Sequence, residues 1–150
     1  MTNSLIQACN DISTEIITDV LHDAELITVS VNRLSATVHL DFCLEDGTFR
    51  AIKLQGLKAF RCEDLVLQNV INSVLQSIKG QIPFTNYERW INWVTSLADS
   101  STWLNEQRKQ EWLNDLSGGK INLIVFEPSA GATLAVICEQ LFFYKGRNPQ

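Results

Sequence analysis

Two histidines supply most of the acid–base chemistry this sequence offers. His22 precedes Asp23, and His39 stands two residues before Asp41. A histidine oriented by a carboxylate serves as a general base. Neighbouring strand residues face opposite ways, so His22 and Asp23 converge only in a loop, where Asp23 holds the turn into the next strand and His22 bonds the backbone. His39 and Asp41, at i and i+2 on one strand, share a face. They would begin a metal site, yet the sequence offers no third or fourth ligand, and neither a metal nor a cofactor is expected. His22, His39 and Asp41 form the candidate set for a small-molecule or hydrolytic site, with no positioned nucleophile beside them. Ser129, in Pro128-Ser129-Ala130-Gly131, lacks the G-x-S-x-G elbow. Ser117-Gly118-Gly119-Lys120 follows a predicted helix and precedes a strand, the reverse of a phosphate loop. Cys9, Cys43, Cys62 and Cys138 form no C-x-x-C pair and sit beside apolar or strand residues, as reduced structural thiols do. No catalytic residues are assigned, and a non-enzymatic role is expected.

Recognition chemistry is better represented. All four tryptophans, Trp90, Trp93, Trp103 and Trp112, fall between residues 81 and 119. Trp90 lies on an apolar helical stripe and belongs to a core, whereas Trp93 lies off it. Large aromatics usually bury, but tryptophan is also the commonest anchor of a protein interface. Around them stand Glu88, Asp99, Glu106, Glu111 and Asp115 with Arg89, Arg108 and Lys109. The net charge is −5. That disfavours binding to nucleic acid, which demands clustered basic residues, and favours a basic protein partner. The candidate contact residues are Trp93, Trp103, Glu106, Glu111 and Asp115, with the acidic pairs Glu45-Asp46 and Glu63-Asp64.

The element that positions these groups is a three-stranded meander over 21–60. Ile27, Val29 and Val31 alternate with Thr28, Ser30 and Asn32. Val38, Leu40, Phe42 and Leu44 alternate with Thr37, His39, Asp41 and Cys43. This is the pattern of a sheet with one packed and one wet face. Glu45-Asp46-Gly47 turns the chain into a third run, with Ile52 and Leu54 inward, and the parity breaks at Gly56, as at a β-bulge. Before the meander, apolar spacing predicts a helix over 4–20, or two broken near Asn10-Asp11 with Ser13 as a cap. After it, Leu67, Val70, Ile71, Val74, Leu75 and Ile78 follow helical spacing between an Asp64 cap and Gly80, which predicts an amphipathic helix across the sheet. Thr85-x-x-Glu88 is a capping box for a helix to about Ala98. A further helix is expected over 102–116, with a wholly polar middle. Ile121 to Phe126 and Ala132 to Tyr144 read as a C-terminal hairpin. The expected fold is a single α+β domain over 1–150. Its antiparallel five-stranded sheet, meander plus hairpin, is packed by one amphipathic helix, with a two-helix excursion at 81–119.

Leu21-His22-Asp23-Ala24-Glu25-Leu26, the meander, Asn69-Val70-Ile71 and Gly131-Ala132 before the long last strand together resemble small bacterial immunity proteins. These are the inhibitors encoded beside contact-dependent and other polymorphic toxins. The resemblance spans roughly 20–80 and 120–144 and leaves the excursion unaccounted for. It implies a cytoplasmic protein that binds one toxin and occludes its active site. Nuclease toxins are commonly basic, which suits this acidic chain. Such families vary their contact surfaces, so no toxin-contacting residue carries over. No run is long enough to span a bilayer, and Met1-Thr2-Asn3-Ser4 does not open a secretory signal. A homodimer, with the long last strand paired across a two-fold axis, is a further expectation.

Overall fold

The computed structural model describes residues 16–96 and 101–150. In chain order the elements are α1 (Ile17–Leu21), β1 (Glu25–Asn32), β2 (Thr37–Cys43), β3 (Phe49–Gln55), β4 (Ala59–Glu63), β5 (Asn69–Gln76), α2 (Tyr87–Val94), α3 (Glu106–Ser117), β6 (Asn122–Ala130), β7 (Thr133–Cys138) and β8 (Gln140–Lys145). The fold is α+β, as expected. Its antiparallel sheet has eight described strands rather than five, in the order β4-β7-β6-β5-β1-β2-β3-β8.

The sheet closes on itself. β3 and β4 are two halves of one ribbon kinked at Gly56, whose φ is 66°. β7 and β8 are halves of another, interrupted at Glu139. These ribbons pair with each other throughout: Gln55 lies opposite Gln140 and Ala59 opposite Ile137, and the Glu139 N–H donates to Gln55 O at 3.1 Å. The two ends of the strand order therefore belong to neighbouring ribbons, and each ribbon has two hydrogen-bonded neighbours. Inside, Phe42 of β2 stacks on Phe126 of β6 with ring centroids 6.3 Å apart. Leu40, Leu54, Ile124, Leu134 and Val136 fill the same core, all fully buried.

Closure is weakest between β1 and β5, which pair only at Glu25 and Leu26 before they part. Helix α1 occupies β5's side of the split. Its Ile17 and Leu21 enter the core, Thr18 Oγ1 accepts from the Val74 N–H at 3.0 Å, and His22 Nδ1 donates to Asn72 O at 2.8 Å. Residues 4–15 of the predicted first helix, with Cys9 and Ser13, lie outside the described residues.

Several expectations are corrected. The predicted amphipathic helix after Asp64 is strand β5. Two register shifts within β5 turn both Ile71 and Val74 inward, a spacing of three that imitates a helix. Leu75 meanwhile packs outward under the helical layer. The ends of the supposed stripe are not buried: Leu67 is 100% and Ile78 51% exposed. Gly80 does end a helical turn, but a single 3₁₀ turn over Ser77–Lys79. A bulge between Leu26 and Thr28 puts Leu26 inward and leaves Ile27 exposed, against the regular alternation predicted for β1. The last strand divides at Glu139. Thr85 caps nothing, because the chain enters α2 through a 3₁₀ turn at Phe84–Asn86. That helix ends at Val94, with Thr95 as its C-cap, short of the predicted end near Ala98.

The excursion packs on the outer face of β4, β6 and β7. Tyr87, Ile91 and Val94 of α2 and Trp112 and Leu116 of α3 cover Ala59, Leu123, Val125, Ala135 and Ile137. Asn105 caps α3, its side-chain oxygen accepting from the Arg108 N–H at 2.8 Å. The middle of α3 is not wholly solvated, since Lys109 is buried, its Nζ 3.3 Å from Glu106 and 3.6 Å from Glu88.

Candidate functional site

Two constellations emerge, on two separate stretches of the sheet's outer face. The first lies where β4 ends against α2. Arg61 projects from β4 over the Trp93 ring, its guanidinium carbon 4.4 Å from the ring centroid. One of its nitrogens donates to Trp93 O at 2.9 Å and the other pairs with Glu63 at 3.2 Å. Trp90 meets Trp93 edge-on at 5.7 Å, and Arg89 lies over Trp90 at 5.2 Å. Glu63, Asp64, Arg89, Trp90, Trp93 and Thr133 line an open groove of about 340 Å³. Both tryptophans are half-buried, Trp90 included, because α2 turns its Ile91 edge to the sheet and its tryptophan edge to the groove.

Beyond the groove the chain runs through Leu65, Val66 and Leu67, which are 57%, 56% and 100% exposed. This apolar loop is held firmly. Buried Asn69 accepts from the Val66 and Ala132 N–H groups at 3.1 Å each and donates to Val66 O at 2.7 Å. Gly131, at φ 82°, leaves room for that bracket, since a Cβ there would collide with Asn69 Oδ1. Asn69-Val70-Ile71 and Gly131-Ala132, distant in sequence, thus meet to fix one loop. The sequence reading missed this loop because its three apolar residues passed for the first turn of a helix. It missed Arg61 because nothing in the local pattern places a β4 residue against α2.

The second constellation is on the wet outer face. His39 Nε2 lies 3.0 Å from Asp41 Oδ1, and His39 Nδ1 lies 3.2 Å from the Tyr144 hydroxyl. With the imidazole proton on Nε2, His39 donates to Asp41 and accepts from Tyr144. The Thr28 hydroxyl donates to the other Asp41 oxygen. Thr28, Asp41, Ala51 and Tyr144 form one cross-strand row, and small Ala51 lets Tyr144 lean across β3. Sequence spacing finds His39 and Asp41; Tyr144 comes from more than a hundred positions away by strand pairing alone.

His22 does not join them. It serves β5's edge through Asn72, with Asp23 3.5 Å from its Nε2. The Asn72 carbonyl, and secondarily the Asp23 charge, raise its pKa above the ordinary histidine value. Asp23 itself sits at φ 64° and donates its N–H to Ile71 O.

The remaining acidic candidates are dispersed. Asp46 shapes the β2–β3 turn, where the Thr48 hydroxyl and amide hold its carboxyl below the usual range; Glu45 is its neighbour. Glu106 pairs with Lys109, Glu111 is exposed on α3, and Asp115 O receives the Lys120 N–H beyond that helix. Trp103 is 55% exposed and meets Trp112 edge-on at 6.2 Å. Only Glu63, Asp64 and Trp93 of the candidate contact set come together.

Cys43, Cys62 and Cys138 are free thiols, and burial pushes Cys138 up to about 12. Among the described residues no three His, Cys, Asp or Glu side chains gather as a metal-holding group. No helix among them is long and apolar enough to cross a membrane.

No family model matches the chain, and no curated protein matches it. A solved structure titled as an uncharacterized protein from Neisseria gonorrhoeae aligns with 81% of this chain and 90% of its own at 12% identity, with a TM-score of 0.37.

Proposed function

We propose that this chain is an immunity-type protein that works in the cytoplasm, binding a cognate toxin and occluding its active site. The observation that carries the reading is the exposed apolar loop Leu65–Leu67, held by Asn69 and continuous with the tryptophan groove. Contiguous exposed apolar surface beside half-buried tryptophans is the usual composition of a protein-binding patch. Rigidity adds to this, because a loop already held by Asn69 loses little entropy on docking. The net charge of −5 favours a basic partner at long range. The Arg61–Glu63 pair makes the groove itself nearly neutral, so local specificity falls to shape and apolar contact, with Asp64 as the acidic rim.

Two steps test this. Tagged protein is used to capture partners, and the expected result is one stoichiometric basic protein whose toxic activity this chain suppresses. Leu67→Asp and Trp93→Ala are then titrated against it, with affinity losses of about tenfold or more expected for hot-spot positions. Suppression that survives both substitutions removes this surface; a captured partner with no activity to suppress removes the immunity reading.

A second reading, a small-molecule-binding or hydrolytic domain, is favoured by the Tyr144–His39–Asp41 chain, in which a carboxylate orients an imidazole toward a phenol. Its check is ligand binding or hydrolysis that disappears in His39→Ala and Tyr144→Phe while the fold persists.

A further inference from the structure

The groove beside α2 carries two charges that the chain itself does not answer. Asp64 and Arg89 both line it, and both are exposed. Among the described residues neither side chain makes an ion pair or a hydrogen bond. Their neighbours are committed: Glu63 pairs with Arg61 at 3.2 Å, and Arg61 also donates to Trp93 O. The chain leaves β4 through Asp64 at φ 62°, a left-handed conformation that aspartate tolerates better than most residues. Arg89 rests over the Trp90 ring and keeps its planar fork of N–H donors for an outside acceptor. The aromatic lining is preorganised, because Arg61 holds Trp93 by both its ring and its carbonyl and Trp93 meets Trp90 edge-on.

A ligand for this groove must answer both charges. A lone anion meets the Glu63 and Asp64 carboxylates, and a lone cation meets Arg89. A purely apolar ligand strips water from both charges and returns no partner to either. A zwitterion with an apolar body satisfies all of them. Its ammonium faces Asp64, its carboxylate takes the Arg89 fork, and its side chain lies against the tryptophans. Asp64 and Arg89 line one groove yet stand too far apart to pair directly, which leaves room for a bridging molecule. At about 340 Å³ the groove is at the small end of ligand sites, a size suited to a metabolite rather than a folded partner. We propose that it binds a free apolar α-amino acid, held head and tail by Asp64 and Arg89. The preset tryptophans limit the ordering cost of binding. The groove is open and leaves one side of the ligand in water, so the affinity is weak, on the order of millimolar. This goes beyond the toxin reading, which rests on the Leu65–Leu67 loop and needs no small ligand.

The full chain is titrated with L-leucine and with L-phenylalanine while its indole N–H resonances are followed by NMR. A range up to about 10 mM covers most of the saturation of a millimolar site. Trp90 and Trp93 should shift, and Trp103 and Trp112 should not. N-acetyl-L-leucine lacks the cation and L-leucinamide lacks the anion, so each should bind about tenfold more weakly than L-leucine. Two variants assign the ends. In Arg89→Gln, L-leucine and L-leucinamide should bind alike. In Asp64→Asn, which keeps a residue suited to the left-handed backbone, L-leucine and N-acetyl-L-leucine should bind alike. Absence of shifts at Trp90 and Trp93 with both amino acids overturns the proposal. So does equal binding of L-leucine and its blocked forms, which reduces the groove to an apolar patch, or a preference left unchanged in either variant. No toxin is present in the titration, so its outcome leaves the docking role of Leu65–Leu67 to its own test.

Discussion

The outer surface of this closed sheet is built in two ways, and β6 and β2 show the contrast. β6 turns Ile124 and Phe126 inward and Leu123 and Val125 outward, where α2 and α3 cover them. β2 turns Val38, Leu40 and Phe42 inward in the same manner, but its outward residues are Thr37, His39, Asp41 and Cys43, with no helix above them among the described residues. The inner alternation is therefore common to both sides, and the outward residues alone decide whether a second layer is recruited. The second layer then creates the groove, because α2 needs only one of its edges for packing and leaves the tryptophan edge free.

The largest effect expected from this contrast is in stability. Ile91, fully buried between α2 and the covered face, should cost about 2–5 kcal/mol when cut to Ala. Lys53, cross-strand from His39 on the wet face, should cost under about 0.5 kcal/mol on the same substitution. Urea unfolding of both variants checks the pair. Equal losses would mean that α2 is a loosely attached layer and that the two outer faces do not differ.

The contrast also explains what could be read without a structure. β2 and the first part of β3 were legible because one face is wet, so the two-residue period stands out. The run Ile121 to Phe126 was legible as a doubly buried strand. β5 was not, because two bulges and a covered outer face together replaced its alternation with a spacing of three and four. The division of the last run was illegible because Glu139 marks a corner that only the Gly56 kink in the partner ribbon makes necessary. At the candidate sites, His39 and Asp41 were found by local spacing, and Glu63, Asp64 and Trp93 by composition. Arg61, Tyr144 and the Asn69–Gly131 bracket depend on strand pairing across the whole chain, which no local pattern records.

A second effect, somewhat smaller, separates the polar networks of the two sides. Asn69 is buried and holds three backbone groups. Asn69→Ala should cost about 2–3 kcal/mol, as buried groups lose their partners, and should accelerate amide exchange at Val66 and Ala132. His39→Ala on the wet face leaves groups that water can reach and should cost less than about 1 kcal/mol. If exchange at Val66 is unchanged in Asn69→Ala, the apolar loop is not held by that bracket, and the rigidity argued for its docking fails.

Lys109 sharpens the comparison within the covered side. Its stem is buried between the helices while Glu88 and Glu106, its partners, remain largely exposed. Removing the charge strands no buried carboxylate, so packing by the stem should dominate. Lys109→Ala should cost about 1–2 kcal/mol and Lys109→Met less than about 1 kcal/mol. A Met variant as damaged as the Ala variant would show that the ion pairs, rather than the stem, join α2 to α3.

The smallest effect lies at the split between the two sides, at His22. Its bond to Asn72 O and the nearby Asp23 charge raise its folded-state pKa. The sign follows from linkage: a histidine with a raised native pKa binds its proton more tightly when folded. Its contribution is fully present below the ordinary histidine value, declines as pH rises, and is lost once the raised native value is passed. Mild acidification from neutral pH should therefore strengthen the anchoring of α1 on β5, within the range where the carboxylates stay ionised. NMR titration of the two imidazoles checks this directly, with His22 expected above its ordinary value and lowered toward it by Asp23→Asn. Because the Asn72 carbonyl is the larger cause, that substitution should remove only the lesser part of the shift. A His22 that titrates normally in the intact chain would detach it from β5's edge and leave the split closed by Thr18, Ile17 and Leu21 alone.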